Sequence, residues 1–404
     1  MTLRQVLTRH PRHLAFGFLH FFSSAVGQTY FVGLLVAGVT AHMGWADDTF
    51  AALYTGATLV AAFTLPVVGT QLDRYPVRYV STVVVLCLAA ALVTLASTAS
   101  LVVFAIALYA ARLGGQGVLP LIGSTVIGRY FVEGRGAALS ATSIGKSVAE
   151  VVVPPLAVWL LGRYDYAAVW YAGAAWLILI VLPSIWLLVR RNDPFQEAAA
   201  VAASQPATDP TAVVSMTRAE ALRYPSLLLT LPVYVLSPFV ITGVIFTQTL
   251  IAEQRGLTLA WMALGVSTYG LARTTLTLLG GSLIDRLGTA AVLRIVHLPF
   301  MLGLVLLLLG EQAWSVPVFF ALAGTTMGVE SVLWPSLWAE RFGPRYLGSI
   351  KSAIRVFMVL GTAASPLLFS WGVSLSLKHV LGLALVYGTI AIATVWLSLR
   401  EESS

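Results

Sequence analysis

Apolar residues run through this chain in long blocks, separated by short clusters of charge, proline and glycine. A helix that crosses a bilayer needs about 20 apolar residues. The blocks reach that length at about 14–41, 49–72, 78–97, 101–128, 136–161, 166–189, 225–252, 258–284, 290–310, 314–339, 347–373 and 379–399. Period-two alternation is weak and the blocks are unbroken, which excludes an outer-membrane barrel. The first block outlasts a signal-peptide core, and no small-residue cleavage site follows a short core. It reads as a retained helix. The pattern predicts an all-α membrane protein with 12 transmembrane helices.

Composition agrees. The chain is 58% hydrophobic and 10% charged, where a soluble domain carries about 25% charged residues. Mean hydropathy is +0.87. A soluble enzyme, a nucleic-acid binder and a disordered scaffold are excluded as readings of the whole chain. The single cysteine, Cys87, lies in an apolar run, so no disulfide forms within the chain. No P-loop and no metal-ligand spacing is visible, so neither enzymatic activity nor a metal or cofactor is expected.

The net charge of +7 is an orientation signal. Most arginines, from Arg4, Arg9 and Arg12 through Arg129 and Arg135 to Arg341, Arg345 and Arg400, fall on one side. Only Arg163, Arg255 and Lys378 fall on the other. The arginine-rich side is therefore the cytoplasmic one. Both termini should be cytoplasmic, in a bacterial inner (plasma) membrane. The polar interval 191–223 contains AAAVAASQPATDPTAVV, which has little to bury and reads as a flexible cytoplasmic linker. It divides an N-terminal six-helix bundle (1–190) from a C-terminal one (224–404).

The two halves repeat. At one constant offset Gly44 falls on Gly256, Gly69 on Gly281, Asp73-Arg74 on Asp285-Arg286, Arg129 on Arg341, Gly136 on Gly348 and Pro154 on Pro366. Two pseudo-symmetric bundles in parallel orientation are a known transporter architecture.

The loop Gly69-Thr-Gln-Leu-Asp73-Arg74-Tyr-Pro-Val-Arg78, its echo Gly281-Ser-Leu-Ile-Asp285-Arg286, and Arg112-Leu-Gly-Gly-Gln116-Gly117 resemble the motifs of the major facilitator superfamily. The echo departs from the pattern in having Ala290 where Arg78 would map. Tyr30-Phe-Val-Gly and Arg129-Tyr-Phe, followed by Arg135-Gly-Ala-Ala-Leu-Ser, are similar to the monocarboxylate and oxalate:formate transporter branch. The resemblance implies a major facilitator fold working by alternating access. Gly69, Asp73, Arg74, Arg78, Asp285 and Arg286 would form a cytoplasmic latch, weaker at the second loop. Arg273 and Arg355 are placed like the carboxylate-binding residues of that branch.

Six ionisable residues lie inside spans: Arg112, Lys146, Glu150, Arg273, Glu330 and Arg355. Each is expensive in hydrocarbon, so they must pair or line a wet cavity. Helix rise puts Arg112 and Glu150 at similar depth, where they can pair, with Lys146 one turn away. Glu330 and Arg355 can form a second pair. Four cations against two carboxylates leave a positive interior that attracts an anion. Arg273, Arg355 and Lys146, with Tyr269, Gln28, Tyr30, Tyr54 and Gln248, are the candidate substrate ligands. Glu150 and Glu330, with Arg112 and Gln116, are candidates for proton coupling or buried pairing. His20 is expected to bond locally. Pro154-Pro155 and Pro366 are expected to interrupt the fifth and eleventh helices, and Gly114, Gly115 and Gly117 to allow close packing.

The sequence thus predicts a monomeric secondary transporter for a small organic anion, with protons and membrane lipid as further partners. Two other readings stay open: an exporter of drugs or lipophilic compounds, and a receptor or assembly subunit without transport.

Overall fold

The computed structural model describes residues 3–45, 47–189 and 215–401. Among them, eleven helices are long and apolar enough to cross a membrane. A further helix, Leu259–Leu287, has the length at 29 residues. Ser267, Thr268, Arg273, Thr274, Thr275 and Thr277 dilute its apolar character. It completes the expected twelve spans.

The chain forms two compact units. The first takes Met1–Glu133, Ala141–Met216 and Trp338–Ala353. The second takes Gly134–Ser140, Thr217–Leu337 and Ile354–Ser404. Each unit therefore includes a short stretch from the other half of the sequence. In the second unit the seventh span (Pro225–Phe246) packs along the twelfth (Leu377–Glu401). Pro232 and Pro238 lie inside the seventh span. The Tyr387 hydroxyl donates to the Pro232 carbonyl at 2.7 Å, and the Ser365 hydroxyl donates to the Phe239 carbonyl.

The first span is not the continuous helix expected at 14–41. Helix Pro11–Ser23 passes into a 3-10 turn, Ser24–Gly27, and helix resumes at Thr29–Met43. Gln28 between them is extended, with φ −78° and ψ 154°. No proline causes this break. It faces the fourth span, where Leu101–Ala111 and Leu119–Tyr130 flank a wide π-helical stretch, Arg112–Val118. A Cβ on Gly27 would lie 2.7 Å from the Gly115 Cα, so the two backbones touch only because both residues lack a side chain. Conversely, Pro154, Pro155 and Pro366 sit inside uninterrupted helices, Arg135–Leu161 and Leu347–Leu375. The expected interruptions are absent, because membrane helices accommodate proline where neighbours and local adjustments re-satisfy the backbone.

Residues 191–214 of the expected linker lie outside the described residues. Its end is helical rather than flexible: Arg218–Arg223 forms one short helix. Thr217 and Glu220 close a reciprocal cap, with the Thr217 N–H donating to Glu220 Oε2 at 2.7 Å. These bonds hold the Glu220 carboxyl below its usual pKa. The cap's contribution is therefore present at neutral pH and lost as pH falls through the lowered value.

Candidate functional site

The repeated loops meet helix ends. Asp73 ends the second span (Asp47–Arg74) and its carboxylate accepts the Gly348 and Ser349 N–H groups, each at 2.9 Å. Those groups open the eleventh span, where a helix leaves donors without intrahelical partners. Asp285 does the same for the fifth span, accepting the Gly136 and Ala137 N–H groups, each at 3.0 Å. Aspartate suits this place because the helix N-terminus is electrically positive. Gly69 and Gly281 bring the backbones close enough. A Cβ at Gly69 would lie 2.7 Å from the Gly348 carbonyl oxygen, and one at Gly281 would lie 2.7 Å from Ser140 Cβ.

The arginine of the first contact is not the expected one. Arg129 forms an ion pair with Asp73, both side chains about 5% exposed or less. It also donates to the Leu72 carbonyl at 2.8 Å and the Pro344 carbonyl at 2.7 Å. Arg74 and Arg286 are exposed. The Arg78 guanidinium lies 4.3 Å from the Trp186 ring and donates to the Tyr79 hydroxyl. Asp285 itself is exposed.

Inside the first unit, Arg112 answers the break in the first span. It donates to the Gly27 carbonyl at 2.7 Å and to Thr58 Oγ1 at 3.0 Å, and its guanidinium lies 4.4 Å from the Tyr54 ring. The Tyr54 hydroxyl donates to Thr29 Oγ1 at 2.7 Å, where helix resumes. Gln28 is buried in the break and donates to Ser24 Oγ. Arg112, Tyr54 and Gln28 are thus brought together around one irregular piece of backbone. Lys146 and Glu150 lie half-buried one turn apart on the fifth span, while Tyr30 and Gln116 are half-buried on the first and fourth. His20 bonds to the Phe16 carbonyl, as expected, and also to Ser81 Oγ at 3.1 Å.

The second unit holds two arginine–tyrosine neighbourhoods. Arg273 lies half-buried on the eighth span, 6.0 Å from the Tyr269 ring. The backbone around it packs against Gly324 and Gly328 of the tenth span (Ser315–Phe342). Arg355, on the eleventh span, lies near Tyr234 of the seventh. Tyr234 also lies near Glu330 and packs edge-on against Trp334. Gln248 begins the short helix Gln248–Gln254 after the seventh span and is half-buried.

Glu330 has partners that the sequence reading did not name. Its Oε1 receives His297 Nε2 at 2.7 Å and the Ser237 hydroxyl at 3.0 Å. All three residues are buried. Pro299 cannot donate to the helix ladder, so the ninth span breaks between Thr289–Ile295 and Leu298–Leu309. His297 sits in that break, and Thr326 Oγ1 takes up the neighbouring Val296 carbonyl at 2.8 Å. A histidine two residues before a proline, inside an apolar span, was the available signal.

Helical units of this kind, with capped inter-span loops and polar groups held inside the bilayer, define a polytopic membrane transporter fold. The family model of the Major Facilitator Superfamily matches residues 17–402, and the chain belongs to that superfamily. It is a membrane transport protein, not an enzyme. The fold is similar to the human organic anion transporter MFSD10 (TETRAN), at 14% identity, TM-score 0.69, over 96% of this chain and 99% of that one. It is also similar to a bacterial homologue of the iron transporter ferroportin in an outward-facing state, at 15% identity, TM-score 0.70 and coverage of 96% and 99%. The outward conformation of FucP gives 14% identity, TM-score 0.67, and coverage of 97% and 98%. No curated protein sequence matches significantly.

Proposed function

We propose that this protein is a secondary transporter of a small organic anion, most simply a carboxylate, working by alternating access with both termini cytoplasmic. The observation that supports it best is the pair of intramembrane arginines in the second unit, Arg273 and Arg355, each beside a tyrosine. Arginine offers a planar fork of donors that matches a carboxylate, and the aromatic neighbour favours a cation. Two intramembrane arginines in one unit make binding of an anion favourable there. A similar fold in a protein described as an organic anion transporter is consistent with this reading. Arg112 is set apart from that role because it serves the Gly27 carbonyl. Asp73 and Asp285 act as cytoplasmic latches that open and re-form in each cycle.

The test is exchange of labelled lactate, oxalate and formate by purified protein in liposomes. Saturable exchange is expected, with loss in Arg273→Ala and an unchanged melting temperature. Competition by lipophilic cations, with Arg273 dispensable, overturns the reading in favour of a drug exporter. Carboxylate binding without flux favours a receptor.

A further inference from the structure

We infer that each unit carries a binding site for the phosphate of an anionic phospholipid. Arg78 with Tyr79 and Trp186 forms the first, between the third and sixth spans. Arg294 with Trp396 forms the second, between the ninth and twelfth. Both sites concern the bilayer and are independent of the transported substrate.

The first site stands on two helices that pack along each other, the third span (Val77–Ser97) and the sixth (Tyr166–Leu188). Arg78 lies at the start of one and Trp186 near the end of the other. Arg78 is 7% exposed. Its guanidinium lies 4.3 Å from the Trp186 ring and 5.2 Å from the Tyr79 ring. Those two residues are themselves 46% and 48% exposed. Aromatic rings, and not carboxylates, therefore cover the charge, and Arg78 has no ion-pair partner among the described residues. Nη2 donates to the Tyr79 hydroxyl at 3.3 Å, while Nε is buried without a hydrogen bond. The Tyr79 oxygen accepts that bond, which leaves its own proton to donate outward. Trp186 Nε1 donates to Thr82 Oγ1 at 3.1 Å, so the indole is pinned beside the guanidinium. A cation covered in this way is costly unless an anion completes it.

The surroundings say which anion. Val83 and Leu86 on the third span, and Leu179 and Leu187 on the sixth, are exposed. In a chain that spans a bilayer such residues meet lipid tails. Tryptophan and tyrosine settle at headgroup level, and a guanidinium on its long stem reaches the same level. The site thus lies where tails end and phosphates begin, and the planar fork of arginine matches phosphate oxygens. Arg74 is exposed shortly before Arg78, and Arg190 and Arg191 follow Trp186 in the sequence. This added positive charge favours a lipid of net negative charge over a zwitterionic one.

The second unit has the same arrangement from different positions. Ala290 stands where Arg78 would map, and Ser398 where Trp186 would. Arg294, one helical turn further on, and Trp396, just before Ser398, supply the pair instead, with the guanidinium 5.8 Å from the ring. The ninth and twelfth spans pack along each other, and both residues are exposed. Ile295 and Leu397 beside them are exposed as well. The loop arginine is missing from this half, yet an arginine over a tryptophan is present. The pairing therefore follows the lipid boundary and not the loop motif.

Full-length protein, delipidated in detergent, provides the test. Native mass spectrometry measures its affinity for phosphatidylglycerol and for phosphatidylcholine of the same chains. Melting temperatures are read with phosphatidylglycerol, glycerol 3-phosphate and inorganic phosphate. The wild type should bind phosphatidylglycerol more tightly than phosphatidylcholine. Arg78→Gln should weaken phosphatidylglycerol about fivefold, the factor that one basic residue contributes at an anionic surface, and leave phosphatidylcholine unchanged. Arg294→Gln should weaken it less, and the double variant should bind both lipids alike. Equal affinities in the wild type, or a preference that neither variant alters, overturns the inference. Stabilisation by the two soluble phosphates that matches phosphatidylglycerol and is lost in Arg78→Gln overturns the lipid assignment in favour of a soluble phosphate. Arg294→Gln removes only an exposed charge, so it keeps the test decisive if Arg78→Gln does not fold. Neither measurement involves transport, so failure of the carboxylate reading leaves this result intact.

Discussion

Asp73 and Asp285 occupy matching places in the two halves, yet their surroundings differ. Each accepts two backbone N–H groups from the first turn of a helix. Asp73 has in addition Arg129 as a nearly dry ion-pair partner, and Arg129 donates to the Leu72, Pro344 and Arg345 carbonyls besides. Asp285 is exposed. The same motif thus supports a buried charge network at one loop and a solvated helix cap at the other. A repeated sequence mark sets which atoms meet, and burial sets how much the meeting is worth.

Substitutions separate the two. Asp73→Ala leaves Arg129 buried without its carboxylate, which costs about 3–5 kcal/mol. It should give the largest fall in melting temperature in detergent. The double variant with Arg129→Ala should recover part of that loss, and a strictly additive result would mean that the pair carries no coupling energy. Next come the glycines. A Cβ at Gly348 would lie 2.6 Å from the Gly69 carbonyl oxygen, and one at Gly136 2.6 Å from that of Gly281. Gly348→Ala and Gly136→Ala should therefore cost similar amounts, about 1–3 kcal/mol. Unequal losses would show that the backbone approach, and not only the charge, differs between the loops. Asp285→Ala should cost least, about 1 kcal/mol, as the loss of an exposed helix cap. A loss as large as that of Asp73→Ala would erase the distinction. Spin-label distances across the arginine-rich side should shift more in Asp73→Asn than in Asp285→Asn.

The helices were legible because hydrocarbon demands long apolar runs and punishes charge, so the punctuation marks their ends. Tyr166, Leu101 and Pro225 begin helices where the sequence places them. The two loop aspartates that cap helix ends were legible through the repeat. Arg129 was visible as a repeated mark, but nothing local tied it to Asp73, 56 residues away. The gap at Ser24–Gln28 was hidden for a similar reason. Small and apolar residues continue through it, and the group that compensates it comes from another span. Intramembrane chemistry also escaped the repeat. Arg112 corresponds to Gly324, and Glu330 to Val118. Symmetry governs the loops, while the interior groups must be found one by one. His297 was the residue missed on that account.

The broken first span has a consequence for how the chain is made. The carbonyl of Gly27 is answered by Arg112, which lies 85 residues further along. During synthesis the break therefore reaches the membrane well before its partner leaves the ribosome. An open carbonyl in hydrocarbon costs several kcal/mol. The first span must wait in contact with water or the insertion machinery until the fourth arrives, which makes the first four spans the smallest piece that can settle into the bilayer together.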